Sequence, residues 1–160
     1  MYVYDAATFT LAGSFTTPSP LALAFSPDGK HAYIGSYAVP ANIIDVDTSS
    51  LQINRSLALP SPLVESIQVS PDGATLYVLA NQSMLAIDVA SWSVRRHTPV
   101  GQFAYRNPSL TAMSPDGSII YIADNGFASD DLLIYHTADG TLDAPIPFPS
   151  WILGLSFTTY

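Results

Sequence analysis

A chain of 160 residues can bury a sizeable core, but with 48% apolar and only 11% charged side chains it is poorly equipped to keep its whole surface in water, so some of that surface is expected to be covered. One lysine and four arginines against twelve aspartates and a single glutamate give a formal charge of -8, the opposite of what phosphate-backbone binding needs, which argues against a nucleic-acid partner. The absence of cysteine excludes a disulfide frame and thiolate chemistry, and no apolar run approaches the roughly 20 residues of a membrane span.

In chain order, residues 2 to 5 and 11 to 16 read as two strands joined through Ala6-Ala7-Thr8, after which Pro18-Ser19-Pro20 interrupts. Met1 is followed directly by Tyr2-Val3-Tyr4-Asp5, with no basic region or cleavage site, so the chain as given is read as carrying no signal peptide. Runs of apolar, β-branched and aromatic residues at 21 to 25, 31 to 36, 42 to 46 and 53 to 59 predict four strands. A second set of four is predicted at 64 to 69, 75 to 80, 84 to 89 and 94 to 100, and a third at 110 to 113, 118 to 123, 132 to 135 and 142 to 148. A last strand is predicted over 152 to 157. No stretch keeps helical periodicity beyond two turns, and thirteen prolines point the same way.

Each set contains the same turn: Ser26-Pro27-Asp28-Gly29, Ser70-Pro71-Asp72-Gly73 and Ser114-Pro115-Asp116-Gly117, spaced 44 residues apart. Proline presets φ at the second position of a type I turn, aspartate suits the third, and glycine takes the left-handed conformation that closes a hairpin. Seven residues beyond each serine stands a tyrosine followed by a β-branched residue, in Tyr33-Ile34, Tyr77-Val78 and Tyr121-Ile122. Leu155-Ser156-Phe157-Thr158 matches Leu23-Ala24-Phe25-Ser26, and Thr158 keeps the 44-residue frame.

Four short antiparallel strands per period, apolar on both faces, are what a β-propeller blade requires, because each blade packs between two neighbours. A sandwich would alternate more cleanly. The expectation is an all-β propeller segment: residues 1–17 as the last two strands of a blade, 18–60, 61–107 and 108–149 as complete blades, and 150–160 as the first strand of another.

The Ser-Pro-Asp-Gly turn, the tyrosine pair that follows it, and Ile44-Asp45 and Ile87-Asp88 near the third strand resemble the YVTN-type β-propeller repeat of bacterial and archaeal surface and periplasmic proteins. Tyr77-Val78-Leu79-Ala80-Asn81 and Tyr121-Ile122-Ala123-Asp124-Asn125 stand where that family has its namesake tetrapeptide. The third unit departs from the pattern, with Tyr135-His136 in place of Ile-Asp. The resemblance covers essentially the whole chain. It implies an extracellular or periplasmic setting and leaves activity open, since such proteins include surface-layer proteins, binding modules, lactonase-like enzymes and subunits of redox enzymes.

Three and three-quarter blades fall short of the seven or eight with which such propellers usually close. The partners expected are therefore the remainder of a longer propeller chain, a second copy in a homodimer, or the chain's own ends meeting in a four-bladed ring, in that order. In the last two cases the C-terminal strand would join the N-terminal pair in a composite blade.

An up-and-down blade separates two rims. The first-to-second and third-to-fourth turns lie on one, and the second-to-third turns and blade-to-blade connections lie on the other. The first rim carries the uniform turns and reads as structural; the irregular second rim is where loops on a rigid scaffold carry function. On it stand the ligand-binding candidates Tyr37, Asn42, Asn81, Gln82, Gln102, Tyr105, Arg106, Asp124, Asn125 and Trp151. Aromatics beside amides, with Arg106 as a carboxylate fork, suit a carbohydrate, a peptide or another small polar ligand; packing of loops against blades is the competing reading.

Asp124, Asp130 and Asp131 form the densest acidic group, yet Asp124-Asn125-Gly126 lacks the alternating spacing of a calcium loop, so solvated carboxylates are expected there. His31, His97 and His136 fall on a second, a fourth and a third strand of different blades, too dispersed for one metal, and neither metal nor cofactor is expected. Glu65, the only glutamate, enters an innermost strand and is a channel candidate, a polar lining group or a base. No phosphate loop, nucleophile elbow or His-Glu-x-x-His occurs. Two functions stay open: a non-catalytic binding or assembly module, which is favoured, and a fragment of a propeller enzyme, lactonase-like or redox-subunit-like.

Overall fold

The computed structural model describes residues 1–101, 110–125, 130–150 and 152–157, with Asn125 described by its backbone alone. The uniform turns set the frame. In each, the glycine N–H donates to the serine carbonyl (2.9, 2.8 and 2.8 Å), and Gly29, Gly73 and Gly117 have φ of 71°, 72° and 73°. The serine hydroxyl donates to the aspartate two residues on and accepts from the N–H five residues on, at His31, Thr75 and Ile119. The motif therefore fixes both ends of its turn with its own side chains.

Around these turns the described residues make one two-stranded and three four-stranded antiparallel sheets. β1 (Tyr2–Tyr4) pairs with β2 (Leu11–Ser14). Blade 1 is β3 (Pro20–Phe25), β4 (His31–Ser36), β5 (Asn42–Asp47) and β6 (Ile53–Ala58) in chain order. Blade 2 is β7 (Ser66–Val69), β8 (Thr75–Leu79), β9 (Ser83–Asp88) and β10 (Ser93–Pro99). Blade 3 is β11 (Thr111–Met113), β12 (Ile119–Asn125), β13 (Asp130–His136) and β14 (Ile146–Phe148). No helix of the described residues is long and apolar enough to cross a membrane.

Two predicted strands differ. The fourth strand of blade 3 begins at Ile146 rather than Leu142, which contributes only an isolated bridge to Tyr135. Pro145, Pro147 and Pro149 have no N–H to give a ladder, so only a short pairing survives. Residues 152–157 lie outside any strand. Among the described residues no strand lies after β14 for them to pair with.

Strand alternation sends neighbouring side chains to opposite faces, which is why both faces of each blade are apolar. Tyr33 and Ile43 of blade 1 pack with Ile67, Leu76, Val78 and Ile87 of blade 2. Tyr77, Leu79 and Met84 face the other way, into a seam with Ile120, Ile122, Leu133 and Tyr135 of blade 3. Ala32, Ile34, Ile44 and Val46 turn toward the N-terminal pair and are covered by Met1 and Phe15. The innermost strands β3, β7 and β11 follow one another in contact, and Gln68 Nε2 of β7 donates to the Thr111 carbonyl of β11 at 3.1 Å, so successive sheets share an inner edge.

Two arginines clamp the seams. Arg55 Nη1 crosses to the Val89 carbonyl (2.8 Å), its guanidinium lies 4.2 Å over the Trp92 ring, and its Nε donates to the fully buried Asp45 (2.9 Å). His31 Nδ1 reaches the other Asp45 oxygen at 2.8 Å. Arg96 repeats the device one seam on, donating to the carbonyls of Thr137 and Ala138 at 3.0 Å each.

Candidate functional site

The irregular rim does not treat its predicted residues alike. Asn81 and Gln82 both have positive φ, 41° and 70°, between reciprocal backbone bonds of Ala80 and Ser83. This is the two-residue hairpin turn that favours such residues, so their chemistry has a backbone explanation. Asn42 opens β5, donating its side chain to the Pro40 carbonyl and its N–H to Ser36 Oγ. Tyr37 bridges to Leu63 through the backbone and exposes its ring. Gln102, Tyr105, Arg106 and Trp151 lie outside the described residues, as does the side chain of Asn125.

A group that sequence reasoning kept apart comes together between blades 2 and 3. Glu65 stands at the entry to β7, its N–H on the Leu79 carbonyl. Asp124 and Asp131 are directly opposite each other on β12 and β13, and Asp130 is opposite Asn125. Like charges facing each other across a ladder repel. Gly101, at φ 127°, lets the connection leaving blade 2 pass so close to Asp124 that a Cβ there would sit 3.4 Å from its Oδ2.

The electrostatics follow from that crowding. Burial, then Asp131, then Asp130, pushes the Asp124 carboxyl up to about 6. Burial, then the charge of Asp124, pushes Glu65 up to about 7. Asp124 ionises first, and Glu65 feels the charge that results. Glu65 Oε2, Asp124 Oδ1 and Asp130 Oδ1 are buried atoms without a hydrogen-bond partner among the described residues. The sequence predicts solvated carboxylates at Asp124, Asp130 and Asp131, whereas Asp124 Oδ1 and Asp130 Oδ1 are buried. Nothing in the sequence registers β12 against β7, so their approach had no signal there.

The histidines are dispersed. His31 binds Asp45, His97 Nε2 lies 2.8 Å from Ser83 Oγ, and His136 Nε2 lies 3.0 Å from Asp143 Oδ1. Among the described residues no three His, Cys, Asp or Glu side chains are arranged to hold a metal ion.

Comparisons with known proteins agree on architecture. No family model matches the chain. It is 29% identical over 106 residues to the seven-bladed beta-propeller protein Rv1057 of Mycobacterium tuberculosis, a match covering 64% of this chain and 26% of that protein. Among solved structures it is similar to Kuenenia stuttgartiensis hydrazine synthase, with TM-score 0.81 and 21% identity over 92% of this chain and 42% of that one. It is also similar to the Myceliophteria thermophila Cps50 (Swd1) β-propeller domain, with TM-score 0.61 and 15% identity over 81% and 44%. The chain thus spans about a quarter of the curated relative and less than half of each solved chain. At these identities the likeness to the solved structures is one of fold.

Proposed function

We propose that this propeller segment is a non-catalytic binding module whose irregular rim holds a small polar, hydrogen-bond-donating ligand at the seam of blades 2 and 3. The observation that carries the reading is a contrast between rims. Asp28, Asp72 and Asp116 on the uniform rim each accept from a serine hydroxyl and a backbone N–H. On the irregular rim, buried oxygens of Glu65, Asp124 and Asp130 lack such donors among the described residues. A buried acceptor left unpaired is costly, and a ligand bringing O–H or N–H groups relieves that cost. Carbohydrates, peptides with a free amine, and small polyols have the required chemistry. A surface or periplasmic setting, implied by the repeat resemblance, belongs with this reading.

The test is an NMR titration of the isotope-labelled chain with a panel of sugars, short peptides and amines. A binder is expected to shift the amides around residues 64–66, 100–101 and 122–124, and Asp124→Asn is expected to weaken it about tenfold, the worth of one good hydrogen bond. A binder that perturbs only the uniform rim, or a panel that moves nothing at millimolar concentration, contradicts the proposal. The reading as an enzyme fragment has one observation in its favour: Glu65 is held near neutrality, where a general base works. Turnover of a lactone by the same sample, lost in Glu65→Gln, would favour it instead.

A further inference from the structure

We propose that the cleft between β1–β2 and the front face of blade 1 is the seat of a β-hairpin of this same repeat type, carried on further propeller blades. The hairpin consists of an apolar strand, a Ser-Pro-Asp-Gly turn and a second strand bearing tyrosine. The proposal rests on the fold and is independent of the rim ligand.

β1 occupies the station of a third strand. Asp5, just after it, accepts from the Ala7 and Thr8 N–H groups and the Thr8 hydroxyl. Asp47 at the end of β5 accepts in the same way from Ser49 and Ser50, and Asp88 at the end of β9 from Ser91. The third strands β5, β9 and β13 are each paired on both edges, whereas among the described residues β1 pairs with β2 alone. Its other edge is the one a second strand would take, and an unpaired edge is a template for an added strand.

The face beside that edge is apolar and uncovered. Leu23 and Phe25 of β3 are 47% and 57% exposed, while Ile67, the counterpart of Leu23 one period on, is 5% exposed. Tyr2, Tyr4, Leu23, Phe25 and Ile34 help to line a cleft of about 270 Å³. The next seam shows what closes such a face. There Ile67, Leu76 and Val78 are covered by Ala22, Ala24 and Tyr33, which are the two strands of the preceding blade's hairpin. The occupant therefore needs a first strand that presents no bulky apolar side chain to this face, as Ala22 and Ala24 or Ser66 and Gln68 do not, and a tyrosine seven residues beyond its turn serine.

A second copy does not supply this group. All three Ser-Pro-Asp-Gly hairpins of the chain are already strands one and two of a blade. Residues 152–157 form no strand, and Phe157 is engaged at the opposite end, its ring 5.3 Å from that of Tyr121 on blade 3. That places it where Met113 meets the Tyr77 cluster one seam earlier. The likeness to a seven-bladed protein of which the chain covers 26% fits a source in additional blades.

The experiment fuses a copy of residues 62–83 ahead of Met1, so that the hairpin ends on the same turn that joins β8 to β9. The fusion is expected to stay monomeric, to melt about 5 °C or more above the parent, and to slow hydrogen exchange of the β1 amides about tenfold or more. A scrambled 22-residue extension, of roughly equal length, leaves both unchanged, and Phe25→Asp in the fusion abolishes the gain while the parent carrying it, altered at an exposed side chain, still folds. Unprotected β1 amides in a folded fusion would overturn the proposal. So would a parent chain that dimerises with its β1 amides already protected, since the occupant would then be a second copy.

Discussion

Gly29 and Gly117 hold the same turn position at φ 71° and 73°, yet a side chain would meet different surroundings at the two sites. A Cβ on Gly29 meets nothing within 4 Å, whereas one on Gly117 would come within 2.4 Å of the Pro71 ring of the preceding blade's turn. Gly29→Ala is expected to cost about 1 kcal/mol, the price of the left-handed backbone alone, and Gly117→Ala about 2 kcal/mol or more because Pro71 must also move. Urea denaturation of the two variants checks the order. The need for glycine was legible in the motif; the stacking of one blade's proline on the next blade's glycine was not, because it depends on the spacing of blades. Glu65 shows the same limit. Both carboxyls bind protons more readily folded than unfolded, Glu65 at about 7 against 4.5 and Asp124 at about 6 against 3.8. Stability from this source is therefore present below pH 4 and is lost as pH rises through 6 and 7. Glu65→Gln removes the larger loss: the variant is expected to be more stable by about 1 kcal/mol at pH 8, allowing for solvent reaching the side chain, and to match the parent at pH 4. Thermal melts across that range check it, and a variant equally shifted at both pH values contradicts it.

Elements were read with few errors because each blade carries its own punctuation. Serine, proline and glycine mark the inner hairpin, and the Asp-Ser or Asp-Thr pairs after β1, β5 and β9 mark the outer one. Where that punctuation lapses the reading slipped. His136 stands at the end of β13 where the other third strands end in aspartate, three prolines crowd the following segment, and the fourth strand shrinks to Ile146–Phe148. The seams were harder to foresee than the strands. Arg55 and Arg96 each stand eight residues beyond the aspartate that ends a third strand, and both reach carbonyls of the neighbouring blade's outer turn. A 41-residue spacing between two arginines is a weak signal against the stronger 44-residue rhythm of the turns. With these two in the seams and Arg95 on Asp88, little positive charge is left among the described residues to balance the acidic rim. That is the setting in which buried carboxylates become poised near neutrality.

At the scale of the whole molecule the blades follow one another about a shared inner edge, with the N-terminal pair against blade 1 and the C-terminal segment against blade 3. The repeat made this order readable, since a fixed period implies a fixed step between neighbours. What the sequence left open was whether the two ends meet. Phe157 packs on Tyr121 of blade 3, and Leu23 and Phe25 of blade 1 stay about half exposed. The chain has no cysteine, so spin labels can be placed at the exposed Thr10 and Ser156 without competing sites. Pulsed electron resonance on doubly labelled chains diluted in unlabelled protein measures their separation within one molecule. An open run of blades, spaced about 10 Å apart, predicts a single population centred at roughly 30 Å or beyond. A population near the roughly 5 Å spacing of adjacent strands, lengthened only by the label arms, would mean that the ends pair with each other and would contradict the account.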